Sequence, residues 1–134
     1  MTREVKLINI SVVIPMYNSE KTIIGTLDSV KNQTSIEQIM EIIVINDGST
    51  DDSLKIVRKY SEDHKSLPIC IVDKENGGVS SARNAGIRIT KGNWIALLDS
   101  DDEWIPIKIE KQLKVLEENP YIDFLGCDVN NIRL

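Results

Sequence analysis

Residues Trp94 to Trp104 read WIALLDSDDEW. Trp94 to Leu98 is a short apolar run, which predicts a strand buried on both faces. It stops at Asp99, Ser100, Asp101, Asp102 and Glu103, where carboxylates crowd together. Such groups repel unless a positive charge sits among them, and a hard divalent cation would relieve the crowding. In an extended segment alternate side chains share a face. Asp99 and Asp101 are therefore expected on one side, and Ser100 and Asp102 on the other: a D-x-D at the mouth of a buried strand. Two plainer readings compete. Acidic residues are favourable at a helix N-terminus, so the turn could cap the next helix. An EF-hand loop is the other, but its sixth position is Trp104 rather than Gly, and a strand precedes it.

The same alternation runs through the rest of the chain. Ile8 to Met16, Glu41 to Asn46 and Pro68 to Val72 are further apolar strands, the first expected to stop at Pro15, which has no N–H for a ladder. Helices are expected from Asn18 or Ser19 to about Gln33, with Ile23, Ile24, Leu27 and Val30 as its stripe, and after Ser49 or Thr50, with Leu54, Ile56, Val57 and Tyr60 inside. Two more run over about 79–90 and 106–118, and Tyr121 to Val129 is a candidate fifth strand. This βαβαβαβαβ order predicts an α/β fold, a mainly parallel sheet flanked by helices. The 134 residues are read as a single domain, 1–134.

Composition narrows the function. A net charge of −5 without basic runs argues against nucleic-acid binding. No segment approaches the length of a membrane span, and the stretch MTREVKLINI holds no long apolar h-region, so the chain is expected to be cytoplasmic. Cys70 and Cys127 lie in apolar runs and are expected to be buried thiols. His64 is expected to face solvent.

A parallel sheet places every strand-to-helix loop on one edge, where open α/β sheets bind ligands. That edge gathers Pro15, Met16, Tyr17 and Asn18, then Asn46 to Ser49, Asp73 to Glu75 with Gly77-Gly78, and Asp99 to Asp102. An aromatic, a lone carboxylate, glycines, basic residues and an acidic pair suit a nucleoside diphosphate held through a cation. Singly these signals are weak: Asp47-Gly48 is also a turn dipeptide, Tyr17 also a packing residue, and Arg83 also a solvated helix residue. No P-loop and no G-x-G-x-x-G occurs.

Four ordered stretches carry a resemblance: SVVIPMYNSE (Ser11–Glu20), VINDGSTD (Val44–Asp51), NGGVSSARNAG (Asn76–Gly86) and LDSDD (Leu98–Asp102). Together the chain resembles the N-terminal, nucleotide-sugar-binding part of family-2 glycosyltransferases of the Rossmann-like GT-A fold. The resemblance implies a donor, most often a UDP-sugar, and transfer with inversion to a glycan or lipid-linked acceptor. It places Pro15, Tyr17, Asn18 and Glu20 around the nucleoside, Asp47 on the base, and Gly78 and Arg83 near the nucleotide-sugar. Asp99 and Ser100 fall beside the ribose or sugar, and Asp101 with Asp99 on Mn²⁺ or Mg²⁺. The family's carboxylate base lies in a later E-D motif. Glu103, Glu110, Glu117-Glu118, Asp123 and Asp128 lack that context, so the base is expected beyond Leu134. The sequence then reads as the first part of a longer protein, which could associate with a membrane. An uncovered edge is expected to promote self-association. A nucleotidyltransferase is the alternative enzyme, but it would carry a Gly-rich basic loop after the first strand. A receiver-like regulatory or other non-catalytic nucleotide-binding domain is the alternative class; a receiver needs acidic residues where Pro15-Met16 stand.

Overall fold

The computed structural model describes residues 7–126. Its elements are β1 (Ile10–Met16), α1 (Ile23–Lys31), β2 (Ile39–Asp47), α2 (Ser53–Asp63), β3 (Ile69–Lys74), α3 (Val79–Arg88), β4 (Trp94–Leu97) and α4 (Lys108–Glu118). The strands pair in parallel in the order β3-β2-β1-β4. This is the expected α/β architecture. Its strand order reverses at β1, with β2 on one side and β4 on the other.

Side-chain alternation along the two central strands builds two layers. Val12, Ile14, Met16, Ile42 and Val44 meet Ile23, Leu27 and Val30 of α1, Val57 and Tyr60 of α2, and Trp104 and Ile109 beyond β4. Ile43 and Ile45 turn the other way, toward Ala82 of α3. Burial of each fully enclosed Val or Ile contributes about 1.5–3 kcal/mol. Gly86 brings α3 onto this second layer: a Cβ there would lie 2.6 Å from Val13 Cγ1 and 3.2 Å from Ile45 Cγ1.

Several boundaries differ from those expected. β1 passes through Pro15 to Met16. Val13 O accepts Leu98 N, so the polar groups of Val13, and of Pro15 two residues on, face the β4 side. β4 has ended before Pro15, and no ladder bond is lost. α1 begins at Ile23, and neither expected cap serves it: Asn18 Oδ1 accepts Thr50 N, and Ser19 Oγ meets Tyr17 O and Ser100 Oγ. Ile24 is exposed. Neither Ser49 nor Thr50 caps α2, whose N-cap is Asp52. β4 is covered on one face only. Ile95 is 40% and Leu97 51% exposed, because the helix on that face, α3, packs on β1 and β2. Cys70, on the other sheet edge, is exposed rather than buried. His64 stacks on Tyr60 at 4.0 Å between ring centroids and is half-buried rather than fully exposed to solvent. Tyr121–Gly126 form no strand, and Tyr121 and Phe124 are exposed without a neighbouring strand to pair with. Cys127, Asp128 and the rest of the expected fifth strand to Val129 lie outside the described residues.

Candidate functional site

The parallel sheet brings the loops after all four strands to one edge, and a cleft of about 760 Å³ opens there. Pro15, Tyr17, Asn18, Glu20, Asp47, Gly78, Asp99, Ser100 and Asp101, singled out in the sequence, all line it. It lies against the end of β1, where the strand order reverses, the usual ligand position in open α/β sheets. Tyr17 lines the cleft and is 51% exposed, which leaves an aromatic surface on which a planar base could stack.

Asp47 is the most enclosed acid of the rim, at 2% exposure. Its Oδ1 accepts Lys74 Nζ and Gly77 N, both at 2.9 Å. Its Oδ2 accepts Gly78 N at 3.0 Å, and its carbonyl accepts Asn76 Nδ2. Burial by itself would push this carboxyl up. The bonds from Lys74 and the two glycine N–H groups outweigh it and hold the carboxyl below the ordinary carboxylate range. Gly78 makes this wrap possible with φ 95°, a region a side chain rarely adopts. Asp47 thus ties the β3–α3 loop onto the end of β2.

Asn18 and Glu20 tie another pair of loops. Asn18, at φ 47°, receives Thr50 N on Oδ1 at 2.8 Å and donates its own N–H to Ser49. Glu20 Oε2 accepts Asp52 N at 3.1 Å. Both side chains organise the approach to α2 while they line the cleft.

The acidic segment is not extended. Asp102 N donates to Asp99 O at 3.1 Å, which closes a turn. The turn brings Asp102 back beside Asp99 and Asp101, so that one carboxylate oxygen from each lies within 4.8 Å of the others. Alternation had placed Asp102 on the opposite side. Partial burial, then the charges of Asp101 and Asp99, push the Asp102 carboxyl up. Ser100 points inward at 8% exposure, its hydroxyl 2.5 Å from Ser19 Oγ. Arg83 Nη2 pairs with Asp99 Oδ1 at 2.9 Å, a single contact rather than a bidentate one.

The donor set fits a hard divalent cation. Three carboxylates converge, and hard oxygen is the ligand Mg²⁺ and Mn²⁺ take. The cleft lining is acidic: Glu20, Asp47, Asp51, Asp99 and Asp101 stand against Lys21, while Arg83, Lys74 and Asp102 lie outside the lining, beside Asp99, Asp47 and Asp101. A diphosphate would be repelled here without a cation.

Sequence reasoning missed the structural partners. Lys74 and Asn76 appear as loop residues until the fold sets them on Asp47. Thr22 and Thr26 of the α1 segment reach the acidic turn. Their one sequence signal is a helical spacing of four residues beside the apolar stripe.

A family model described as "Glycosyl transferase family 2" matches residues 11–131. The E. coli protein described as UDP-Glc:alpha-D-GlcNAc-diphosphoundecaprenol beta-1,3-glucosyltransferase WfaP is 40% identical over 108 residues, covering 81% of this chain and 41% of that protein. A Bacillus spizizenii poly(ribitol-phosphate) beta-glucosyltransferase is 43% identical over 93 residues, covering 69% of this chain and 15% of the relative. Among solved structures, S. aureus TarS 1–349 in complex with UDP superposes with a TM-score of 0.75 at 30% identity, covering 84% of this chain and 33% of that one. The mannosyltransferase PcManGT from Pyrobaculum calidifontis, in complex with GDP-Man and Mn²⁺, gives 0.77 at 26% identity and the same coverage. The chain belongs to glycosyl transferase family 2 and has the GT-A fold. It spans less than half the length of these relatives. Among the described residues no helix is long and apolar enough to cross a membrane.

Proposed function

We propose that this chain is the donor-binding part of a glycosyltransferase that takes a nucleotide-sugar, with UDP as the nucleotide, and holds its diphosphate through Mn²⁺ or Mg²⁺. The observation that carries the reading is the convergence of Asp99, Asp101 and Asp102 on the rim that also presents Tyr17 and Asp47. The TarS complexes with UDP and UDP-GlcNAc and the Mn²⁺-containing mannosyltransferase support it from relatives of the same fold.

In this reading Tyr17 stacks on the base and Pro15 walls the pocket behind it. A base N–H reaches Asp47 when Lys74, on its flexible stem, gives way. Gly78 lets the backbone come close, and Arg83 moves from Asp99 to the nucleotide-sugar. Asp101 with Asp99 and Asp102 holds the cation, which neutralises charge growing on the leaving diphosphate. Ser100 shapes the turn from inside. Transfer to a glycan or lipid-linked acceptor, with inversion, needs a base and an acceptor surface, which we place in sequence beyond Leu134.

Calorimetry with UDP, GDP and ATP, each with and without Mn²⁺, tests the proposal. UDP is expected to bind in Mn²⁺ and far more weakly in its absence. Tighter GDP binding would reassign the base, and metal-independent binding would remove the cation's role.

A further inference from the structure

We propose that Thr22 and Thr26 are positioning residues that hold the acidic turn in its converged form, so that it can bind a cation; this rests on the metal reading above. The turn has a reason to open, since three carboxylates lie within 4.8 Å of one another at its rim. Arg83 pairs with Asp99, and among the described residues no ion pair reaches Asp101 or Asp102. What holds the turn comes from behind. Thr22 Oγ1 donates to Ser100 O at 2.9 Å. Thr26 Oγ1 lies 2.7 Å from Asp102 O and 3.0 Å from Ser100 O. A hydroxyl has one proton. The shortest contacts therefore assign Thr22 to the Ser100 carbonyl and Thr26 to that of Asp102.

The two hydroxyls stand four residues apart and so lie on one side of the α1 segment. The same side continues with Gln33, which donates Nε2 to Ile105 O at 2.8 Å and accepts Ile109 N at 3.1 Å. The chain from Ser100 to Ile109 is thus moored by its backbone to side chains of α1 and its two flanks. Thr26 is fully enclosed and Gln33 is 3% exposed, so water does not stand in for these two donors, whereas Thr22 is exposed. The carbonyls point inward to α1 while the carboxylates are left free to point outward together. Removing the Thr26 hydroxyl takes the donor from the Asp102 carbonyl and frees the turn to relax along its repulsion.

Thr26→Val keeps the shape and deletes the donor. The probe is Mn²⁺ alone, with the free ion counted by electron paramagnetic resonance against the parent chain, and folding is checked by circular dichroism. Thr26→Val is expected to weaken Mn²⁺ binding about tenfold, the usual scale for residues that orient ligands. Thr26→Ser is expected to restore it. Gly86→Ala, on the far face of the sheet, is expected to lower the melting temperature and leave the Mn²⁺ affinity as it was. If Thr26→Val folds and binds Mn²⁺ like the parent while Asp101→Ala does not bind, the positioning role is wrong and the metal site stands. If Asp101→Ala binds like the parent, or the parent does not bind, the metal reading fails and takes this one with it. Should Thr26→Val not fold, Thr26→Ala, which removes the same donor, decides in the same assay by the same outcomes.

Discussion

Lys74 Nζ lies 2.9 Å from Asp47 Oδ1, so the carboxylate at the end of β2 is already paired by the loop that follows β3. Asp47 therefore stabilises the fold as well as facing the cleft. Asp47→Ala strands the lysine and two glycine N–H groups. Charge-assisted hydrogen bonds of this kind are worth about 1.5–3 kcal/mol, so a lower melting temperature is expected along with weaker UDP binding, both read by scanning calorimetry with and without nucleotide. Normal stability with lost binding would make Asp47 a ligand residue only.

The same pairing sets an acid limb. The Asp47 carboxyl is held below its ordinary value of 3.8, despite the burial that opposes this. A depressed folded value means the stabilisation is present above the unfolded value and is lost as pH falls through the folded one. Glu41 and Asp51 shift in the same direction. Stability is thus expected to fall as pH drops below about 4. Asp47→Asn should flatten part of that fall in a urea titration across pH 2 to 6.

Asp102 has the opposite sign. Burial and the neighbouring Asp101 and Asp99 raise its carboxyl, so its ionised form costs the metal-free fold stability at neutral pH, which returns as pH falls through the raised value. Asp102→Asn is expected to raise the metal-free melting temperature by about 1–3 °C. It should weaken Mn²⁺ binding at the same time. A lower melting temperature without metal would mean that the repulsion is not felt.

Arg83 is shared between two duties. Its guanidinium occupies Asp99 Oδ1 without nucleotide, while its Nε is buried with no partner among the described residues. Arg83→Gln should free Asp99, tightening Mn²⁺ alone and weakening the Mn²⁺-dependent binding of UDP. Titrations of each ligand check the opposed signs; a loss of both would assign Arg83 to the turn's structure.

Gly86→Ala tests the packing. The added Cβ meets Val13 Cγ1 at 2.6 Å, and neither β1 nor α3 can retreat without disturbing the sheet. Overpacking of this order costs about 1–3 kcal/mol, more than the helix preference of Ala regains. Chemical denaturation reads it directly.

By itself the sequence determined the βαβ order, the parallel sheet and the rim. Those follow from apolar runs such as Val12 to Met16 and from the rule that parallel strands end on one edge. It also marked nine of the residues that line the cleft, because polar groups such as Asp99 and Asp101 interrupt apolar strands abruptly. What it left open depended on contacts between residues far apart in the chain. That Asp102 joins Asp99 and Asp101 is decided by a turn held from Thr22 and Thr26. That Asp47 is enclosed follows from strand register, which sets Lys74 beside it across the β2–β3 ladder. That Pro15 can lie within a central strand depends on how far β4 runs alongside β1. Hydrophobic period is local and can be read along the chain. The partners of a hydroxyl, an ammonium or a missing N–H are set by which loops the sheet brings together, and only the tertiary structure decides those.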